Sequence, residues 1–342
     1  RWFPPVGGPA LDANTPHVGL VGRQVAYVVP GPGDTPDGDG IDTWVERASG
    51  CNPARDAGGA LFDYLWDLVD HNGDALRDDL AWFRADQGGP THHPHVAVTG
   101  PADRLVIAPG ATIDPFVLAD TRGGPVLIDR DAVVHSFTRL EGPCYVGRES
   151  WILGAKLRGD STIGPGSRVG GEVEASIIQG NSNKYHDGFL GHSYVGEWVN
   201  LGAATQTSDL RNDYDVVRVT VGGQRIVTGR TKVGAYFGGH AKTGLGALLN
   251  TGSLVGPFAN VLPAGTLLPQ VIPSFCQVVR GELREITDLR KAFATAARVM
   301  RRRGQEWTDV HRDLYDQLFD ASAPARRRLM QENELRRLRK SV

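Results

Sequence analysis

The segment Asn181-Ser182-Asn183-Lys184-Tyr185-His186-Asp187-Gly188-Phe189-Leu190-Gly191-His192 crowds imidazoles, an amine and amides into one short stretch. Ser193-Tyr194-Val195-Gly196-Glu197-Trp198-Val199-Asn200-Leu201-Gly202-Ala203-Ala204-Thr205 follows at once. An imidazole titrates near neutral pH, so His186 is suited to take a proton from a nucleophile. Lys184, with Lys242 or Arg230 further along, carries charge that can hold a phosphate. A second chemistry open to the same stretch is metal binding, with His186, His192 and His240 as ligands of a zinc ion. Each also has a structural reading: His186 as a corner residue bonded to a neighbouring turn of chain, His192 as a supporting residue, His240 as pocket lining or a corner hydrogen bond. Cys51, Cys144 and Cys276 lie far apart, in no metal-ligand spacing, and read as small hydrophobes of a reducing compartment.

What must position these groups is a short repeat. From Leu105 onward, units begin with Ile, Val or Leu, continue with Gly or another small residue, and end on a further small residue. Examples are Ile107-Ala108-Pro109-Gly110-Ala111-Thr112, Val146-Gly147-Arg148-Glu149-Ser150-Trp151, Ile163-Gly164-Pro165-Gly166-Ser167-Arg168 and Val255-Gly256-Pro257-Phe258-Ala259-Asn260. An aliphatic residue at every sixth position points into a triangular prism, and the small residue lets the chain turn the corner. Stacked coils then share one core. The fold class expected is mainly β: a left-handed parallel β-helix of hexapeptide repeats over 101–281, with a partial α/β region over 1–100 and helices over 282–342.

The repeat is interrupted between Asp209 and Arg230. There Val216-Val217-Arg218-Val219-Thr220-Val221, Gly222-Gly223 and Gln224-Arg225-Ile226-Val227 read as a β-hairpin projecting from the prism. Before the repeats, Gln24–Val29 reads as a strand, between loop signals at Gly31-Pro32-Gly33-Asp34 and Asp37-Gly38-Asp39-Gly40 on one side and the preceding turn on the other. Two short helices are expected over 60–84, with Asn72-Gly73 as the break and Asp74 as a cap. After the repeats, Leu283, Ile286, Leu289, Phe293, Ala297 and Met300 suggest a helical face over 282–319 that closes the prism end. The basic tail, Arg326-Arg327-Arg328 and Arg336-Arg337-Leu338-Arg339-Lys340, reads as a solvated helix face. Trp151 and Trp198 are expected to cover the prism exterior or a subunit interface, and Asn250 to stack in an internal Asn ladder.

The 342 residues carry a net charge of −2, which gives no reason to expect a nucleic-acid or membrane partner. With 44 Gly and no collagen period, the chain needs many tight corners. No apolar run reaches transmembrane length and no signal-peptide pattern is present, so a cytoplasmic location is expected. The chain opens Arg1-Trp2-Phe3 rather than on Met, which leaves room for a preceding segment.

His186-x-x-Phe189-Leu190-Gly191 and Val199-Asn200-Leu201-Gly202-Ala203 resemble the acetyltransferase half of the bifunctional N-acetylglucosamine-1-phosphate uridyltransferase/glucosamine-1-phosphate acetyltransferases. Gly234-Ala235-Tyr236-Phe237-Gly238-Gly239-His240-Ala241-Lys242-Thr243-Gly244, Asn250-Thr251-Gly252 and Trp66-Asp67-Leu68-Val69-x-x-Asn72 are similar to a sugar nucleotidyltransferase branch of it. The likeness runs from about 60 to 275 and is densest over 180–260. It implies an acetyl-CoA-dependent N-acetyltransferase acting on an amino-sugar phosphate or sugar nucleotide. It also implies a homotrimer with sites between subunits, which suits the flat faces of a prism. On this resemblance His186 is the base, Asn200 grips the sugar phosphate, and the Ala203 N–H donates to the thioester carbonyl. Phe189 and Asp209 stand at acceptor-binding positions where the family has Tyr and Asn. Ala203 thus faces acetyl-CoA, His240 and Lys242 are cofactor-binding candidates on position and charge, and no metal is implied. The uridyltransferase half needs a Gly-rich phosphate loop that residues 1–100 lack; Gly19-Leu20-Val21-Gly22-Arg23 does not supply it, so nucleotidyl transfer is not expected. A non-catalytic scaffold is the other reading of the same prism.

Overall fold

The structure is a computed structural model and describes residues 2–4, 12–36, 40–87, 92–263 and 265–340, with side chains described up to 334 in the last segment. The Asp37-Gly38-Asp39 loop signal and the side chains of Arg336–Lys340 lie outside the described residues. The chain divides into two compact units, 1–68 and 69–342.

In the first unit, strand His17–Val21 pairs antiparallel with Gln24–Val29 and parallel with Ala54–Asp56. Helix α1, Ile41–Cys51, connects the last two and buries Trp44 and Ala48. The sequence reading found strand 24–29 but not α1, although Ile41, Trp44, Val45 and Ala48 do follow a helical period. Dense Gly and Asp before it, and Ser49-Gly50 within it, masked that signal.

The second unit is the left-handed parallel β-helix expected from the repeats. Its first face is a nine-stranded parallel sheet running from Leu105–Ile107 to Val271–Ile272. Ile107, Ile128, Val146, Ile163, Ile178, Val195, Phe237, Val255 and Ile272 stack in register along its inner side, and all are buried. Each such side chain contributes roughly 1.5–3 kcal/mol on leaving water. The second face carries Ala119, Leu140, Leu157, Val173 and Leu190 inward. The third carries Ile113, Val134, Ile152 and Val169 inward, then Lys184. Coils approach so closely at the corners that a Cβ on Gly164 would lie 2.0 Å from Gln179 O, which is why the second repeat position is small.

Corner residues adopt left-handed backbone. One corner carries Asp131, Glu149, Asn181, Trp198, His240, Phe258 and Phe275 in this conformation; the next carries Phe116, Phe137, Gly154, Gly171, Ala204 and Gly246.

Several sequence expectations change. The two helices expected over 60–84 are α2, Leu65–Asp70, and α3, Asn72–Gln87, but the break falls at His71 and Gly73 lies inside α3. A Cβ there would lie 1.9 Å from Asp160 Oδ1, so the glycine serves close packing on the prism. Asn72 anchors the same contact, donating to Asp160 O and accepting from Thr162 Oγ1, each at 2.8 Å. The hairpin, Arg218–Val221 with Gln224–Val227, is present but does not project freely. Val217 and Val219 are buried against Gly252, and Gln270 donates to Arg218 O at 3.1 Å. Alternate residues of the hairpin are apolar, so it lies down on the coils.

Residues 282–285 form a strand antiparallel to Cys276–Val279, not the start of a helix. Leu283 and Ile286 therefore belong to no helical face, although their spacing of three suits a helix; pairing with the neighbouring strand overrides it. Helix α4, Leu289–Arg301, begins at Asp288, whose side chain accepts from Lys291 N at 3.0 Å. Helix α5 spans Asp309–Lys340. Its Arg326 is not solvated: it is 1% exposed, bonds Glu285 at 2.8 Å and lies 4.0 Å over the Phe319 ring. Trp198 is buried under these helices, whereas Trp151 stays half exposed with the Arg168 guanidinium 4.2 Å over its ring. Asn250 bonds Thr251 N at 2.9 Å at the edge of a cavity and forms no ladder. Among the described residues no helix is long and apolar enough to cross a membrane.

Candidate active site

The corner Leu201-Gly202-Ala203-Ala204-Thr205 is a tight turn, with Thr205 N bonded to Gly202 O at 3.1 Å and Ala204 in left-handed backbone. In such a turn the closing bond does not use the N–H of the residue before the left-handed one, which is left for another acceptor, as when Arg130 N donates to Asp129 Oδ1 at 2.7 Å. Pro115, Pro165 and Pro257 occupy that place in other turns, where the missing N–H costs nothing. At Ala203 the N–H is retained, and it makes no hydrogen bond among the described residues. The adjacent coil presents Tyr185-His186-Asp187 at the same corner, tied to it by Ala204 N to Asp187 O at 2.8 Å. His186 is exposed, and among the described residues its ring contact is with Tyr185, edge-on at 5.5 Å.

Asn200 lies on the outer side of the third face, in a row with Arg168, Asn183, Lys242 and Asn260. Its Oδ1 accepts from Asn183 Nδ2 at 3.2 Å. Lys242 donates to His240 O at 2.9 Å, and burial pushes its amine down to about 8. Lys242 and His240 border a cavity of about 340 Å³ between this face and α4, together with Asn260, Gln277, Asp288 and Lys291.

Lys184 is not placed to hold a ligand. It occupies an inward position in register with Val169, is 4% exposed, and gives its amine to Gly170 O at 2.7 Å and His186 O at 3.1 Å. Burial lowers that amine to about 8 as well. It supports the corner that carries His186. Arg230 is paired with Asp70 at 2.6 Å.

Phe189 and Asp209 lie on the second face. A Cβ on Gly191 would meet Phe189 Cζ at 2.4 Å and Asp209 Oδ2 at 2.5 Å, so ring and carboxylate flank the same glycine. Asp209 accepts from His192 Nδ1 at 2.8 Å. The charge introduced by Asp209 is thus met by an imidazole that the sequence reading treated as merely supporting; alternate positions on adjacent coils were the signal. Glu174 stands beside them, paired with Arg158 at 2.5 Å and Lys232 at 3.3 Å.

The three histidines of the zinc reading do not converge. His192 pairs with Asp209, while His240 is stacked between Trp198 and Phe258, at 6.3 and 4.7 Å, under α5. Among the described residues no group of three His, Cys, Asp or Glu could hold a metal. The remaining candidates fall on two faces and the corner between them: His186 and Ala203 at the corner, Asn200 and Lys242 on one side, Phe189 and Asp209 on the other.

No family model matches the chain. It is 37% identical over 155 residues to a bifunctional sugar-1-phosphate nucleotidylyltransferase/acetyltransferase of Sulfurisphaera tokodaii, covering 42% of this chain and 37% of that protein. It is 30% identical over 190 residues to the bifunctional protein GlmU of Jannaschia sp., covering 52% and 38%. The GlmU of Methanocaldococcus jannaschii is 38% identical over 85 residues, 25% of this chain and 21% of that one. The family suggested by the His186 and Asn200 motifs is the one these relatives carry in their names. The chain spans about two fifths of the length of the first two. The solved polySia-specific acetyltransferase NeuO aligns with 61% of this chain and 90% of its own at 13% identity, with a TM-score of 0.27.

Proposed function

We propose that the chain is an acetyl-CoA-dependent N-acetyltransferase acting on an amino-sugar phosphate such as glucosamine 1-phosphate. The observation that carries this reading is the unpartnered Ala203 N–H, one coil from His186 at the same corner. The acceptor amine attacks the thioester carbonyl carbon, and the Ala203 N–H receives the negative charge that develops on oxygen. His186 takes the proton released by nitrogen. The adduct collapses by breaking the carbon–sulfur bond, and the thiolate leaves with that proton as CoA thiol. The cavity beside Lys242 offers acetyl-CoA a path along the third face, toward the same corner.

Face-to-face packing of prisms in a trimer would bring one chain's Phe189 and Asp209 side toward another's Asn200 and Lys242 side, completing a site that one chain leaves divided. The test is thiol release from acetyl-CoA with glucosamine 1-phosphate, wild type beside His186→Ala. Loss of a base predicts a fall of about 10²–10⁴-fold. If wild type releases no thiol with any amino sugar and binds no CoA, the scaffold reading replaces this one.

A further inference from the structure

Arg168 and Arg303 come together on the outer third face from distant parts of the chain. Arg168 lies on the prism and donates Nη1 to Glu149 O at 2.8 Å and Ser167 O at 3.2 Å. Arg303, just beyond α4, reaches back to donate Nη1 to Gly166 O at 2.5 Å and Nη2 to Asn183 Oδ1 at 2.8 Å. Both are half-buried. Burial, and secondarily the neighbouring Arg303 charge, lowers Arg168 to about 10. Neither forms a salt bridge with a carboxylate among the described residues, unlike Arg122, Arg139, Arg158 and Arg326, each of which does. The Trp151 ring and the nearby Glu149 and Tyr185 offset part of the Arg168 charge, but Arg303 adds a second positive charge beside it, which a bound anion would relieve.

The amides next to them are oriented to suit that anion. An arginine only donates, so its bond to Asn183 makes that atom the oxygen and leaves Nδ2 to donate to Asn200. Asn200 must then accept with Oδ1, and its own Nδ2, on an exposed side chain, has no partner among the described residues. Arg168, Arg303 and Asn200 therefore present N–H donors together on one surface.

We propose that Arg168, Arg303 and the exposed Asn200 amide form a phosphate-binding subsite, a monoester or diphosphate group being its ligand. It rests on the acetyl-transfer reading only for the identity of the molecule that bears the phosphate, either CoA or the amino sugar. Arg303 has two roles, as a charge and as a positioning residue that sets the Asn200 amide through Asn183. The turn between the C-terminal helices thereby completes a binding surface on the prism.

The experiment is calorimetric titration of the full chain, which needs no turnover. One series is CoA, 3′-dephospho-CoA and pantetheine; the other is glucosamine 1-phosphate and glucosamine. Wild type should prefer a phosphorylated member at least about 10-fold in one series, and the series that shows it identifies the source. Arg168→Gln, Arg303→Gln and Asn183→Asp should each remove most of that preference and leave the phosphate-free affinity within about two-fold. Asn183→Asp still accepts from Arg303 and so keeps the helix contact, but it adds negative charge and removes the donor to Asn200. It serves if Arg303→Gln does not fold. A phosphate preference without thiol release would uphold the subsite and sink the proposed reaction. Absence of preference in both series, or its persistence in all three variants, overturns the subsite.

Discussion

Two corners of the same prism use the same left-handed turn for opposite ends. At one, Trp198, His240, Phe258 and Phe275 form a column of rings, with His240–Phe258 at 4.7 Å and Phe258–Phe275 at 5.3 Å. Helices α4 and α5 sheathe it with Phe293, Tyr315 and Phe319, and the turn between them adds Trp307. At the other, Gly154, Gly171, Ala204 and Gly246 leave the turn bare, and Phe116 and Phe137 stack in the open at its N-terminal end, 74% and 78% exposed. Left-handed backbone costs a bulky residue about 1–2 kcal/mol. The covered corner recovers that through buried ring contacts. The bare corner avoids it with small residues, which leaves the Ala203 N–H and His186 open to a ligand.

The largest test of the contrast is Phe258→Ala. This ring packs against His240, Phe275, Phe293 and Tyr315, and its loss should cost about 3–5 kcal/mol in urea unfolding. Limited proteolysis should then release the C-terminal helices first. If stability falls by under about 1 kcal/mol, the helices are held by something other than the ring column.

Ala203→Pro addresses the bare corner. Proline already stands at this turn position at 115, 165 and 257, so the melting temperature should hardly move. Acetyl transfer should drop about 10²–10³-fold, the usual cost of losing one oxyanion donor. Unchanged turnover would remove Ala203 from the mechanism.

A smaller effect separates the corners by pH. Burial, with Lys242 and His311 nearby, pushes His240 down to about 3 from an ordinary 6.5. Below about pH 6.5 the unfolded chain binds a proton that the folded chain refuses, so stability falls as pH drops from there toward 3. The loss is about 2 kcal/mol at about pH 5. His240→Phe should abolish that part of the acid sensitivity, seen as a flatter plot of unfolding free energy against pH. An identical slope in the variant would mean that His240 titrates normally.

The prism was legible because its coils are local: an aliphatic residue, a small residue and a corner recur within a few residues, and each coil needs only its neighbours. The same locality made the hairpin readable, and it let the motifs around His186 and Ala203 be placed at one corner. Lys184 was misread because charge is visible in a sequence while the inward or outward sense of one position is not; stacking under Val169 decided it. Leu283 and Ile286 were misread because their spacing of three suits a helix, and pairing with Cys276–Val279 decided for a strand instead.

Sequence alone thus determined the architecture, since it follows from short-range pattern, and it singled out the corner at His186 and Ala203 as the candidate site. Only tertiary structure could bring Arg303 to Asn183, or Asp209 to His192, because these meetings depend on how coils stack and where the helices return. A side chain's partner across such distances is set by packing energy summed over many residues, which no local pattern encodes.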